Sequence, residues 1–485
     1  MQSKIQRRIG VLFIILLIAD LSYSFVQHLH MPLKGDMAEI VLPTPNNGYY
    51  EVLHNPFGYD ALVKGKQYAN PNRFFAHWTT SNYFLTVPLL LQNFTNPIDS
   101  VYLSNAIAKI LIQLIILYLF ALYISGSRQV FRFKFLLAAI LIAPLFQTSG
   151  YSRFLGIIDQ SVIYTFFYAL PQALIMLFFY PFFKYAYYNY PLNFSLLKHI
   201  IWTSLMIFLS FNGPLLTGVA LITSMLFIFF EMYKKFDNHK ETTYFKKLII
   251  SFSNIPLSIR YYAIGISILS LYSLYIGQSN SLNFGESAPL LERYSRLPIG
   301  IYNLISQKLA YPLLFILLGI NIFIIRKNYR NKQGSKILSL IAWMGVFAFI
   351  YILLLPLGGF RSYRPNIIRY DTILPLTFGL ILSYGMSTYF LIIHIIKKYR
   401  IFYFSTIILF LIVFTYADKY TDKDYFCERN ALEVLSKSQE NPVILNSDCS
   451  IMEWKPIHSA AESELNATLF QYWNITKEKK LYYQK

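Results

Sequence analysis

The sequence predicts an all-α polytopic membrane protein, and three observations carry that expectation. Charged residues make up only 14% of the 485 residues, apolar types make up 55%, and the mean hydropathy is +0.42. Soluble chains average about 25% charged residues. The apolar residues also come in blocks close to the ~20 residues that cross a roughly 30 Å hydrocarbon core. Finally, the net charge of +19 is strung between those blocks rather than massed on one soluble stretch, which argues against a nucleic-acid partner.

The first block, "IGVLFIILLIADLSYSFV", follows basic residues as a signal peptide would. No small-residue cleavage site comes after it, so it is expected to stay as an anchor. About eleven transmembrane helices are predicted, at 9–26, 103–124, 133–149, 161–183, 197–212, 215–231, 259–277, 306–325, 337–357, 372–396 and 401–417. Lys and Arg concentrate in short cytoplasmic loops. With "MQSKIQRR" inside, the connections "SGSRQVFRFK", "KYAYYNYPLNFSLLK", "KKFDNHKETTYFKK", "RKNYRNKQGSK" and "KKYR" share that side, and every one is basic. Segments 27–102, 150–160, "NGPL", 278–305, 358–371 and the stretch from 418 then face outward, and most of them mix signs or lean acidic. The alternation predicts N-terminus in and C-terminus out, with a transmembrane domain over 1–417 and a small mixed segment over 418–485. "FNGPLLTG" turns the chain between two spans, which its Pro and Gly explain without chemistry.

The long first outer loop, 27–102, is broken by Pro, Gly and Asn into short amphipathic helices at "DMAEIVL", "YDALVKGKQYA" and "NRFFAHWTTSNYFLTVPLLL". The aromatics of the last one suit a helix lying in the membrane interface. Loops of this length are usually functional. In "GDMAEIV", Asp36 and Glu39 stand at i and i+3, so on a helix their carboxylates share one face. Two close carboxylates raise each other's pKa and make a general base near neutrality. Acids favoured in the first turn of any helix are the bland account of the same pair.

Late in the chain, "GGFRSYRPNIIRYD" carries Arg361, Arg364 and Arg369 on the outer side, against the orientation bias. They either snorkel to head groups or form an anion site, because the guanidinium fork matches phosphate oxygens bidentately. At the lipid boundary, the simplest such anion is the phosphate of a lipid.

Tyr363 and Asp371, interleaved with those arginines, join His54, Asp60, Arg73, His77, Arg153 and Asp159 as candidate lining for a donor or acceptor pocket. Arg153 and Asp159 pair equally well with each other. The scattered His and Asp have no metal-ligand spacing, so no metal and no other cofactor is expected. Glu286, Glu292, Arg293 and Arg296 occupy a loop that either closes over a donor or is a solvated surface helix. Within the spans, Asp20 and Lys109 lie near enough to an end to snorkel. Cys427 and Cys449 both fall outside the membrane, the arrangement expected of one disulfide in an oxidising compartment. A segment as short as 418–485 buries little core alone, so it should pack on the outer loops, with a short strand and turn in "NPVILNSDCSIMEWK" between helices. The sequons at Asn93, Asn466 and Asn474 matter only in a secretory pathway, and with no retention signal a bacterial inner membrane is expected. Phosphate-binding Gly-rich loops, G-x-S-x-G, H-E-x-x-H and C-x-x-C are all absent from the sequence.

An acidic pair just after the first span, interfacial helices in the first outer loop and a late arginine-bearing outer loop together resemble the GT-C superfamily of integral membrane glycosyltransferases. In size and layout the chain is also similar to the bacteriophage-type O-antigen glucosyltransferases, which draw sugar from undecaprenyl phosphate. The resemblance spans roughly 1–417 and implies a polyprenyl-phosphate-linked sugar donor and a periplasmic glycan or lipid-linked acceptor of the O-antigen or lipopolysaccharide type. It makes Asp36 the base, Glu39 its neighbour, and Arg361, Arg364 and Arg369 the holders of the donor phosphate. The chain departs from many members of that superfamily in having no large soluble C-terminal domain. Two alternatives stay open: a transporter or flippase of lipid-linked sugars, and an O-antigen polymerase or ligase. A transporter would be expected to show internal repeats and polar residues at the midplane.

Overall fold

The computed structural model describes residues 4–45, 49–146, 155, 157–236, 243–283, 288–307, 309–360, 365–417 and 422–485. Among them, nine helices are long and apolar enough to cross a membrane by length and composition. The chain is a multi-pass helical membrane protein.

In chain order, the membrane-length α1 (Lys4–Leu29) leads into three short helices, α2 (Met37–Val41), α3 (Tyr50–His54) and α4 (Tyr59–Val63). Then come α5 (Phe74–Leu91) and the long α6 (Pro97–Ser125). Further on are α7 (Phe133–Phe146), α8 (Val162–Tyr188), α9 (Leu196–Ser210), α10 (Pro214–Phe236), α11 (Tyr244–Ser253) and α12 (Leu257–Ser279). The second half holds α13 (Leu290–Ser295), α14 (Leu297–Ser306), α15 (Ala310–Asn328), α16 (Lys332–Gly358), α17 (Tyr370–His394) and α18 (Lys398–Ala417). Two helices, α19 (Lys423–Lys437) and α20 (Glu464–Tyr472), belong to the C-terminal segment.

Each predicted span coincides with an apolar helix. One of these, α9, falls short of a full crossing, and α7 is described as far as Phe146. At 1.5 Å per residue the 15-residue α9 is roughly 22 Å long. The Gly213–Pro214 turn ends α9 early. The short helices α3 and α11 were not expected, and in "YDALVKGKQYA" the helix stops at Val63.

Local chemistry sets the boundaries. Asn96 caps α6 by accepting from the Asp99 N–H at 2.9 Å, Pro97 occupies its first turn, and Gly126 ends it in the left-handed region. The core between α1, α6, α7, α8 and α17 is built from residues such as Ile116, Phe120, Ile142, Ala173 and Tyr384. Apolar helices gain little from leaving lipid for one another, so close packing and buried polar contacts hold such a bundle. One seam shows this. Asn105, Lys109 and Gln113, at i, i+4 and i+8 on α6, are all buried. Gln113 Oε1 accepts from His28 Nε2 (3.0 Å), and its amide nitrogen donates to the Ser24 hydroxyl of α1 (3.2 Å). Lys109 does not snorkel. Its Nζ donates to the Gln160 carbonyl at 2.5 Å and lies 3.3 Å from the Met31 sulfur, because two connections fold over it.

In the C-terminal segment, β1 (Val443–Leu445) pairs in parallel with β2 (Tyr482–Gln484), Val443 opposite Tyr482. The strand in "NPVILN" was expected; its partner was not. The segment's Leu432, Leu435, Trp473 and Tyr482 share one core with Leu33, Val41, Phe84 and Val101. The 418–485 segment therefore folds onto the first long loop rather than alone. Asn466 is buried there, its amide donating to the Ile451 carbonyl and the Tyr482 hydroxyl, so that sequon is closed in the folded chain.

Candidate functional site

Leaving α1, the chain turns at Gly35, whose φ of +112° lies where side chains are disfavoured. A Cβ at this position would sit 2.9 Å from Ser161 Oγ and 3.1 Å from the Trp454 ring. The turn brings Asp36 under Trp454. Asp36 occupies the N-cap of α2, yet its side chain makes no capping bond; its Oδ1 accepts instead from Trp454 Nε1 at 2.8 Å. A carboxylate placed only to please a helix terminus would cap it. Burial, and then the Asp36 charge, push the Glu39 carboxyl up. A third acid, unnoticed in the sequence, joins them: burial, then the charges of Asp36 and Glu39, push the Glu453 carboxyl up to about 7. Glu453 is the acid of this cluster brought close to neutrality.

Two devices hold Glu453 and Trp454 in place. Cys427 and Cys449 form the expected disulfide, with Cα atoms 6.2 Å apart. Beside it the fully buried Glu428 accepts from the Leu33 N–H (2.7 Å), the Met452 N–H (2.7 Å) and the Tyr102 hydroxyl (2.8 Å). Burial pushes its carboxyl up to about 7, while those three donors pull the other way. Glu428 thereby ties α19 to α6, to the strand of chain before Asp36, and to the strand of chain before Trp454.

From Trp454 a strip of aromatic rings leads along α8. Tyr164 lies 5.6 Å from the Trp454 ring, and Tyr168 lies 5.6 Å from Tyr164. Both flank or occupy a π-helical turn, Thr165–Ala169. Such turns inserted in an α-helix occur frequently at functional sites, because the extra residue re-aims the side chains. Arg73 lies over this turn, its guanidinium carbon 5.1 Å from the Phe167 ring and 5.7 Å from Tyr168. Its Nε is buried and makes no hydrogen bond. Tyr351 of α16 interacts electrostatically with Tyr168 and with Asp371 and Arg369, and its hydroxyl donates to the Thr372 carbonyl at 2.5 Å.

Arg369 caps α17, its N–H donating to Thr372 Oγ1 at 3.0 Å and its Nε donating to Asp371 Oδ1 at 2.6 Å. The segment before it is clamped by α13 and α14. The Arg293 Nη1 donates to the Pro356 carbonyl and the Arg296 Nη1 to the Pro365 carbonyl, both at 3.3 Å, and Arg296 lies 4.8 Å from the Phe360 ring. Gly300 packs so closely on this segment that a Cβ would meet the Ile368 carbonyl at 3.1 Å. Arg293 and Arg296, expected on a closing loop or a solvated helix, brace the arginine loop. Arg361, Tyr363 and Arg364 lie outside the described residues, as do Arg153 and Glu286.

The remaining candidates divide. His77 is buried between Tyr49 (5.1 Å) and Phe167 (4.9 Å), and its Nε2 pairs with the Asn70 amide at 3.2 Å. Burial, then the Arg73 charge, push it down to about 3, so it is neutral. His77 thus backs the π-helical turn as a structural wall. Asp159 accepts from the Ser161 N–H at 2.8 Å and interacts electrostatically with Lys109. His54 and Asp60 are local: His54 donates to the Tyr50 carbonyl (2.8 Å), and Asp60 pairs with Lys64 (2.9 Å). Among the described residues no contact joins either of them to Asp36. Among the described residues no group of three His, Cys, Asp or Glu is arranged to hold a metal ion.

The acids at one end, the aromatic strip with Arg73 along it and the Arg369–Asp371 pair at the other end make a polar, partly aromatic surface where the spans emerge. It presents carboxylates, ring faces and guanidinium groups in that order. No protein-family model, no curated protein and no solved structure matches the chain.

Proposed function

We propose that the chain is a membrane glycosyltransferase that moves a sugar from a polyprenyl-phosphate donor to a periplasmic glycan or lipid-linked acceptor. In this reading the N-terminus is cytoplasmic, and the face carrying the C-terminal segment lies outside the inner membrane of a bacterium. The observation that supports it best is the connection of Asp36 to Arg369 through Trp454, Tyr164, Tyr168 and Tyr351. An acid and an arginine 333 positions apart in sequence belong to one surface.

The arginine end draws in the donor phosphate through charge-assisted bonds to guanidinium, and for transfer the C1–O(phosphate) bond must come within reach of the acceptor at Asp36. The acceptor hydroxyl lies at Asp36, whose carboxylate takes its proton as the oxygen attacks C1 of the sugar. The new O–C1 bond forms as the C1–O(phosphate) bond breaks. The electron pair stays on the phosphate, which leaves as polyprenyl phosphate, and attack opposite the leaving group inverts C1. Arginine stabilises the charge that develops on that oxygen, so no protonating acid is required. Incubating membranes that contain the protein with polyprenyl-phosphate sugars tests the proposal: sugar should leave the lipid, and leave it only when an acceptor is supplied.

One observation favours a second reading. The buried polar seam of Asn105, Lys109 and Gln113 against α1 puts polar side chains inside the bundle. Polar residues inside a bundle are typical of transporters. A lipid-linked-sugar transporter would carry its substrate across a proteoliposome membrane without cleaving it.

A further inference from the structure

Between α8, α10, α16 and α17 lies an apolar cavity of about 440 Å³, with Phe179, Phe230, Trp343 and Phe378 in its walls. That volume falls within the range of ligand pockets. Along α8 it runs from Gln172 to Tyr187, which is roughly 22 Å at 1.5 Å per residue. Its polar end is remote from Asp36 and Arg369, because α10 finishes there and α16 begins there. Lys234 and Lys336 stand at that end. The Lys234 Nζ lies 4.2 Å from the Phe230 ring and the Lys336 Nζ lies 4.5 Å from the Tyr187 ring. Lys336 faces both Lys234 and Lys332. The nearby acid is the buried Glu231, 3.5 Å from Lys234 and 3.9 Å from Lys235, so one carboxylate answers two lysines. Among the described residues Lys336 has no carboxylate within ion-pair distance.

We propose that this cavity binds an anionic glycerophospholipid of the bilayer, its acyl chain in the slot and its phosphodiester between Lys234 and Lys336. A slot between membrane helices with like charges gathered at its surface end matches an amphiphile that is apolar along its length and anionic at its head. Basic pockets between spans recognise anionic head groups in this way. A zwitterionic lipid fills the slot equally well but leaves the lysines less fully answered. The site is separate from the donor phosphate placed at Arg369, and it does not depend on the transferase reading.

The test uses the full chain in nanodiscs of equal parts phosphatidylglycerol and phosphatidylethanolamine, with the lipids that stay bound after release measured by native mass spectrometry. The wild type should retain phosphatidylglycerol about thirtyfold over phosphatidylethanolamine, the scale expected of two lysines at a membrane surface. The Lys234→Gln/Lys336→Gln double variant should lose that preference. Removing the same charge elsewhere on the basic face, by Lys198→Gln/Lys246→Gln, should keep it. Thr223→Trp, which fills the slot and leaves both lysines, should abolish retention while the protein still folds. Equal retention of the two lipids by the wild type, or an unchanged preference in the cavity double variant, would overturn the assignment. So would mole-for-mole displacement of phosphatidylglycerol by added polyprenyl phosphate, which would make the slot a donor site.

Discussion

The Asp36 end of the candidate site is fixed by groups from opposite ends of the chain: Trp454 on Asp36, Glu428 on the Leu33 and Met452 amides, and the Cys427–Cys449 disulfide. The Arg369 end is fixed by neighbours in sequence and by surface contacts, namely Asp371, Thr372 and the carbonyl bonds from Arg293 and Arg296. Buried polar groups whose partners are all satisfied rigidify the structure around them. Half-exposed ion pairs and carbonyl contacts give way more easily. A general base must hold its geometry closely, whereas a cation that receives a charged, flexible substrate tolerates adjustment. The Asp36–Trp454 bond is itself exposed, and the buried network lies one step back, holding the two segments that carry Asp36 and Trp454.

The largest expected effect breaks the rigid end chemically. Asp36→Asn keeps the acceptor for the Trp454 N–H but removes the basicity, and losing a positioned base costs about 10²–10⁴ in rate. Sugar release from the donor lipid measures it, with the folded fraction unchanged. Breaking the same end structurally comes next. Glu428→Ala strands three buried donors and should cost at least about 3 kcal/mol of stability, given about 1–3 kcal/mol for each unsatisfied group. Thermal unfolding in detergent reports the loss, and cysteine accessibility reports the segment coming away. At the softer end, Arg369→Ala should weaken donor binding by about 1.5–3 kcal/mol, the range for a hydrogen bond to a charged group. Lysine at the same position should restore only part, since it lacks the bidentate fork. Full rescue by lysine would return this residue to head-group snorkelling.

The smallest effect is on pH dependence. Glu453 has its pKa raised from the usual 4.5 to about 7. Between those values the folded chain holds a proton that the unfolded chain has released, so stability falls as pH rises through this window. Glu453→Gln should flatten that decline, leaving the share that Glu428, raised in the same direction, contributes. An identical slope in the variant would remove Glu453 from the cluster.

The spans were legible because apolar blocks and basic loops act locally, and the helices fall where those blocks lie. Asp36 and Glu39 were legible because a pair at i and i+3 is a local pattern. Glu453 and Trp454 were not, because their meeting with Asp36 spans 418 positions and depends on the Glu428 anchor. "IMEWK", just past Cys449, was a signal only to a reader who already knew where the disulfide held it. Lys109 misled for the opposite reason. A lysine near a span end looks free to snorkel until the chain at Met31 and Gln160 folds over it. The aromatic strip was hidden because a run such as "VIYTFFYA" reads as ordinary span, and the π-helical turn that aims Tyr164 and Tyr168 leaves no mark in composition.

Separating donor binding from donor turnover in two variants tests the central claim most directly. Affinity for a polyprenyl-phosphate sugar and its rate of sugar loss would be measured for the wild type, Asp36→Asn and Arg369→Ala. The account predicts that Asp36→Asn binds the donor as the wild type does but turns it over at least a hundredfold more slowly, while Arg369→Ala loses affinity first. Wild-type turnover in Asp36→Asn, or unchanged donor affinity in Arg369→Ala, would contradict it.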